Sequence, residues 1–140
     1  MSIKVFFTVV FLVFGSLGCA EKIVSECDEE NKANNSQITT YSFIQKEVFD
    51  KNCTTSGCHG NNSPQANLVL TPNNSYQNLL NVQSELFPSY KRIVPGNSQA
   101  SLLIKVLKGD GFPLMPPQGG VSNELIDSVA AWIDRGALLN

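Results

Sequence analysis

A chain of 140 residues, 42% hydrophobic and 16% charged, has the composition of one ordinary globular domain rather than of a disordered polymer. Its formal net charge is −2, and the seven acids and seven bases of residues 41–140 cancel, so the folded part lacks the basic footprint of a nucleic-acid binder. One histidine, two methionines and four cysteines make every soft or imidazole donor worth locating by position.

Residues 1–18 read as an export signal. Lys4 precedes an apolar run from Val5 to Phe14, and the small residues Gly15, Ser16 and Gly18 follow. Ten residues of apolar chain are too few to span a bilayer. Cys19 comes next, and the segment resembles a bacterial lipoprotein signal in which Cys19 is lipidated and becomes the first mature residue. Ser16 stands where such signals prefer leucine. The competing reading is ordinary cleavage, with Cys19 free to form a disulfide with Cys27. Residues 19–40 are polar, acidic and rich in asparagine, which suits a flexible tether. Together these features predict an exported protein, a periplasmic or outer-membrane lipoprotein held to the membrane by its lipid anchor.

About a hundred residues then form the folded part, a size that is marginal unless something else is buried with the core. Phe43, Ile44, Val48 and Phe49 recur at helical spacing over residues 41–51, behind Thr39 and Thr40 as N-caps. Residues 60–74 are rich in Gly, Asn, Ser and Pro, which predicts a loop interrupted only by Leu68, Val69 and Leu70. A short helix runs from Ser75 to Val82. The stretch from Lys91 to Ser98 is extended and ends in a turn at Pro95 and Gly96. Ser98 starts a helix to Leu107 with Leu102, Leu103, Val106 and Leu107 on one face, and Gly109 ends it. Ser122 caps the last helix, where Leu125, Ile126, Val129, Trp132 and Ile133 make an apolar stripe up to Gly136. Trp132 reads as packing between the terminal helices. There is no strand alternation, no repeat and no second domain, so the fold class is all-α.

The chemistry is concentrated in Cys53-Thr54-Thr55-Ser56-Gly57-Cys58-His59. Two nearby thiols can add to the two vinyl groups of a haem, and a histidine directly after the second is then held beneath the iron. The usual spacing is C-x-x-C-H; here it is C-x4-C-H. Met1 leaves with the signal, so Met115 is the one methionine of the mature chain and the natural second axial ligand. It lies among Pro113, Pro116 and Pro117, which stiffen an irregular segment; the alternative is that Met115 merely packs in an exposed turn. Arg92 is placed either to pair with a haem propionate or to sit as a solvated surface charge. Lys46 and Lys51 either line the haem edge and dock an acidic partner or are ordinary exposed lysines. Leu68, Leu70, Leu103, Val106 and Leu114 are the expected porphyrin contacts.

An aromatic-rich helix leads into Cys53 to Gly60. Leu68-Val69-Leu70 follows, then Arg92-Ile93-Val94-Pro95-Gly96-Asn97 with Ser101-Leu102-Leu103. Met115-Pro116-Pro117 comes next, and Ala131-Trp132-Ile133-Asp134-Arg135-Gly136-Ala137 closes the series. In that order, over residues 41–140, they resemble the cytochrome c-like domains of the planctomycete type. The resemblance implies a small all-α cytochrome c-like fold of about four helices around one covalent haem c, with long irregular loops and terminal helices packed together. It implies thioethers at Cys53 and Cys58, axial ligands His59 and Met115, and a non-enzymatic electron carrier whose partners are redox proteins at the cell envelope. A reading of another class is a haem-free envelope lipoprotein serving as an interaction module, with a Cys53–Cys58 disulfide. A haem peroxidase or sensor would need a distal acid–base residue, and the chain has no second histidine. A zinc site would lack a fourth ligand beside Cys53, Cys58 and His59.

Overall fold

The computed structural model describes residues 39–140. The signal over 1–18, lipidation at Cys19, Cys27 and the tether up to residue 38 lie outside these residues.

Helix α1 begins after Thr40, whose Oγ1 accepts from the backbone N–H of Phe43 at 3.2 Å. It is α-helical over Tyr41–Ile44, widens into one π turn over Gln45–Phe49 and closes as α-helix over Asp50–Asn52. Ile44, Val48 and Phe49 are fully buried, as their spacing predicts. The π turn also buries Gln45, and the amide is fully employed there. Nε2 donates to Asp50 Oδ1 (2.7 Å) and to Leu70 O (2.9 Å), and Oε1 accepts from Tyr41 OH (3.1 Å) and from the Ser75 hydroxyl.

Helix α2 is Ser75–Leu79, shorter than the predicted 75–82. Leu80 is extended and Asn81 has φ +56°, so their backbone groups turn to the predicted extended run instead. Leu80 bridges Ile93 and Gln83 bridges Lys91, with Asn81 N–H donating to Ile93 O at 3.0 Å. These are isolated bridges, and no strand forms among the described residues.

Helix α3 is Leu102–Lys108 and starts four residues later than Ser98. Ser98 is occupied elsewhere: its backbone N–H and Oγ donate to the two carboxylate oxygens of Asp134 at 2.7 and 2.9 Å. Asn97 Oδ1 accepts from Ala100 N–H (2.9 Å), and Ser101 Oγ donates to Asn97 O (2.8 Å), so 97–101 is a turn stitched by side chains. Gly109 ends α3 in the left-handed conformation at φ +67°, donating to Lys105 O.

Helix α4, Asn123–Asp134, is capped by Ser122 as predicted. Exposed Glu124 in its first turn is held below the usual carboxylate range by a hydrogen bond from its own backbone N–H and another from the Ser122 hydroxyl. Ile126, Val129, Trp132 and Ile133 are buried against α1 and α3. Trp132 is core: its ring centroid is 5.8 Å from that of Tyr41, and its Nε1–H donates to Leu138 O at 2.9 Å. The chain end returns to the start of α1, where Asn140 Oδ1 and O accept from Tyr41 and Ser42 N–H (2.8 and 3.1 Å). Thr39 is buried and its carbonyl accepts from Arg135 Nη2 at 2.8 Å, so packing reaches back into the last residues of the predicted tether. The result is a helix-rich, strand-free unit of four helices joined by long irregular loops. Among the described residues no helix is long and apolar enough to cross a membrane.

Candidate functional site

Helix α1 ends at Cys53, and the next five residues fold back on it. Cys58 N–H donates to Thr55 O (3.0 Å), and His59 N–H donates to Cys53 O (2.9 Å), so both ends of the C-x4-C-H stretch are drawn together. Gly57 has φ +80°, a conformation that lets the loop double back. The longer spacer is therefore taken up as a closed turn at the helix end.

Cys53 and Cys58 are free thiols, both partly buried. Thr55 Oγ1 donates to Cys58 Sγ at 3.3 Å, and Cys53 Sγ points at Val48 O, 3.7 Å away. Burial pushes the Cys53 thiol up to about 12, with the neighbouring Cys58 adding to the effect, so near neutral pH Cys53 is protonated.

His59 is oriented from the opposite loop. Its Nδ1 lies 3.0 Å from Leu68 O, and because a carbonyl only accepts, Nδ1 carries a proton, which in the neutral imidazole leaves the lone pair on Nε2. Leu70 N–H donates to His59 O (2.8 Å) and Gln65 N–H to Cys58 O (2.9 Å), fixing the loop that provides this acceptor. An imidazole tied through Nδ1–H to a main-chain carbonyl is the arrangement found behind metal-ligating histidines.

Met115 comes from the other side, held by its own backbone. Its N–H donates to Val106 O in α3 at 2.8 Å, and the following turn closes with Gly120 N–H on Pro116 O (3.2 Å). The Met115–Pro116 peptide is cis.

These groups face one cleft of two adjoining lobes that share His59, Ala66, Leu86 and Met115. The outer lobe, about 440 Å³, is walled by Cys53, Cys58 and the Met115–Pro117 segment. The inner lobe, about 90 Å³, is apolar and is walled by Leu68, Leu79, Phe87, Leu102, Leu103 and Val106. Arg92 is part of that inner wall.

Arg92 is 7% exposed. Its Nη1 donates to Asn78 O (2.8 Å) and its Nη2 to Ala66 O (3.2 Å). The surface pair Lys51–Glu47 is the one ion pair among the described residues, so the buried guanidinium has no carboxylate within 4.0 Å. Burial pushes its pKa below the ordinary arginine value, and the charge of Glu85 opposes that shift. Arg92 is thus not a solvated surface charge.

The cleft therefore gathers Cys53, Cys58, His59, Met115 and Arg92 on one void. Three of the five expected apolar contacts, Leu68, Leu103 and Val106, line it. Leu70 does not: it is 2% exposed within the core of α1 and α4. Leu114 also lies off it, 42% exposed over the Gly109 turn. Lys46 and Lys51 are outside the lining as well, and Lys51 is engaged with Glu47 on the same helix. Sequence reasoning missed Leu79, Leu86 and Phe87. Leu86, which is 65% exposed, and half-buried Phe87 sit in an aperiodic segment before Pro88, where no repeat announces a wall of the cleft. Phe87 is fixed there by an edge-on contact with Phe112, centroids 4.9 Å apart, across a sequence gap that no periodicity could bridge. No group of three or more His, Cys, Asp or Glu side chains able to hold a metal ion occurs among the described residues.

Comparison with protein-family models, with curated proteins and with solved structures finds no match.

Proposed function

We propose that this chain is an envelope-anchored monohaem c-type cytochrome, an electron carrier rather than an enzyme. The observation that carries the reading is that Cys53, Cys58, an imidazole with a bare Nε2 and a thioether border the same cleft. A cleft of about 440 Å³ with an apolar extension falls within the range of roughly 300–1,000 Å³ typical of small-molecule and cofactor sites. No carboxylate or zinc-type cluster competes for that space among the described residues.

In this reading Cys53 and Cys58 would hold the haem covalently, and His59 and Met115 would ligate its iron. The haem supplies one-electron exchange between the ferric and ferrous states. The protein residues do the tuning. The Leu68 carbonyl fixes the tautomer and the ring orientation of His59. The Met115 thioether, a soft neutral donor, would favour the ferrous state relative to a second imidazole. The apolar walls of the inner lobe would lower the dielectric around a haem, which would also disfavour the more charged oxidised centre. Arg92 in that wall offers a buried cation to a propionate. Lipidation at Cys19 would hold the domain at the membrane, where its partners would be other redox proteins.

The test is a pyridine haemochrome spectrum of the denatured full chain purified from a host with cytochrome c maturation. Haem that stays with the polypeptide supports the proposal, and a colourless protein refutes it.

A further inference from the structure

A buried arginine with no carboxylate of the described residues within 4.0 Å is uncommon, because a desolvated charge is normally paired. Arg92 meets this by giving its guanidinium to main-chain carbonyls, and the identity of those carbonyls is informative. Ala66 and its neighbour Asn67 sit at φ +54° and +47°, in the loop whose next residue, Leu68, provides the acceptor for His59 Nδ1–H. Asn78 is the second acceptor, and its own Nδ2 donates to Val69 O at 3.0 Å. Both Arg92 bonds thus converge on the segment that orients the imidazole.

The main chain of Arg92 reaches the other way. Its carbonyl accepts from Leu103 N–H at 3.0 Å in the first turn of α3, and the same helix holds Met115 through Val106 O. One residue is therefore bonded toward His59 by its side chain and toward Met115 by its backbone.

We infer that Arg92 is a positioning residue for His59, a brace whose guanidinium fixes the loop that orients the imidazole while its main chain ties the same point to the helix that holds Met115. This rests on the haem reading of the cleft. The guanidinium suits the task because its planar fork reaches two carbonyls at once, which an ammonium on a flexible stem does not do with fixed geometry. Without the brace the loop carrying Leu68 opens more readily, and the His59 Nδ1–H loses its acceptor more often.

The experiment uses the haem-loaded full chain and its Arg92→Gln and Arg92→Lys variants in the reduced, diamagnetic state. The readout is the solvent exchange of the His59 Nδ1 proton by NMR, which is unambiguous because the chain has one histidine. Loss of a charged hydrogen bond should speed that exchange by about 10- to 100-fold in Arg92→Gln, and by less in Arg92→Lys. Backbone amides of α4 should exchange as in the wild type. If Arg92→Gln does not fold, Arg92→Lys is read in its place. Unaltered His59 exchange overturns the inference, as does an acceleration shared equally by α4, which would mark general destabilisation. In both of those cases the protein keeps its colour and the haem reading stands. A colourless wild type overturns the haem reading and this inference with it.

Discussion

The Cys53 thiol gives a direct way to tell a free cysteine from a thioether. Its pKa is pushed from 9.0 up to about 12 by burial, with Cys58 adding to the effect. A thiol with a raised folded-state pKa is neutral in both states below the unfolded value, so there is no penalty at neutral pH. Between 9.0 and about 12 the unfolded chain has lost this proton and the folded chain retains it. Unfolding then releases a proton, and stability falls by about 1.4 kcal/mol per pH unit over that window. In the haem-free chain, urea unfolding at pH 7 and pH 10 should therefore show a loss about 1.4 kcal/mol larger than that of Cys53→Ala. The comparison with Cys53→Ala cancels the lysines, which titrate in both proteins. Haem-loaded protein has no Cys53 proton to release and should behave as Cys53→Ala does. Equal pH dependence of the haem-free wild type and Cys53→Ala would refute the claim that the fold buries this thiol.

Three further outcomes are expected. Met115→Ala should abolish the sulfur-to-iron charge-transfer band of the oxidised protein and lower its potential; an unchanged visible spectrum would remove Met115 from the iron. Asp134→Ala removes both acceptors of the buried Ser98 and should cost about 1–3 kcal/mol in urea unfolding, with a null result contradicting the 97–101 turn. Gly109→Ala places a Cβ at ordinary contact distance, 3.5 Å from Leu114 Cδ1, but at φ +67°. Its cost should be conformational, about 1–2 kcal/mol by thermal melting, and a neutral effect would argue against the left-handed cap.

Features that depend on local pattern were legible in the chain. The stripes of α1 and α4, the caps at Thr40 and Ser122 and the stop at Gly109 are each set by residues within a turn of one another. The set of cleft donors was legible for a different reason: the chain has one histidine and, besides Met1, one methionine, so counting sufficed. What escaped was everything decided at long range. Ser98 has the chemistry of an N-cap, yet its hydroxyl is claimed by Asp134, 36 residues away, and α3 starts later. Leu70 and Leu68 look alike in an alternating triplet, but the one faces the core and the other the cleft. Arg92 was recognised as a charge worth watching, while its carbonyl partners, at separations of 14 and 26 residues, have no sequence signature at all.

The π turn in α1 acts as a phase shifter. An α-helix advances about 100° per residue, so accommodating one extra residue in a single turn rotates everything beyond it by that angle without moving the helix axis. Ile44 lies before the wide turn and Cys53 after it, and Gln45, within it, is fastened to four groups. The core face of the helix and the azimuth at which the first thiol leaves it are in this way set separately. Deleting one residue from Gln45–Phe49 would let a regular α-helix cover the same rise and rotation, so the helix length and the azimuth of Cys53 would stay nearly unchanged while the wide turn that seats Gln45 would be lost.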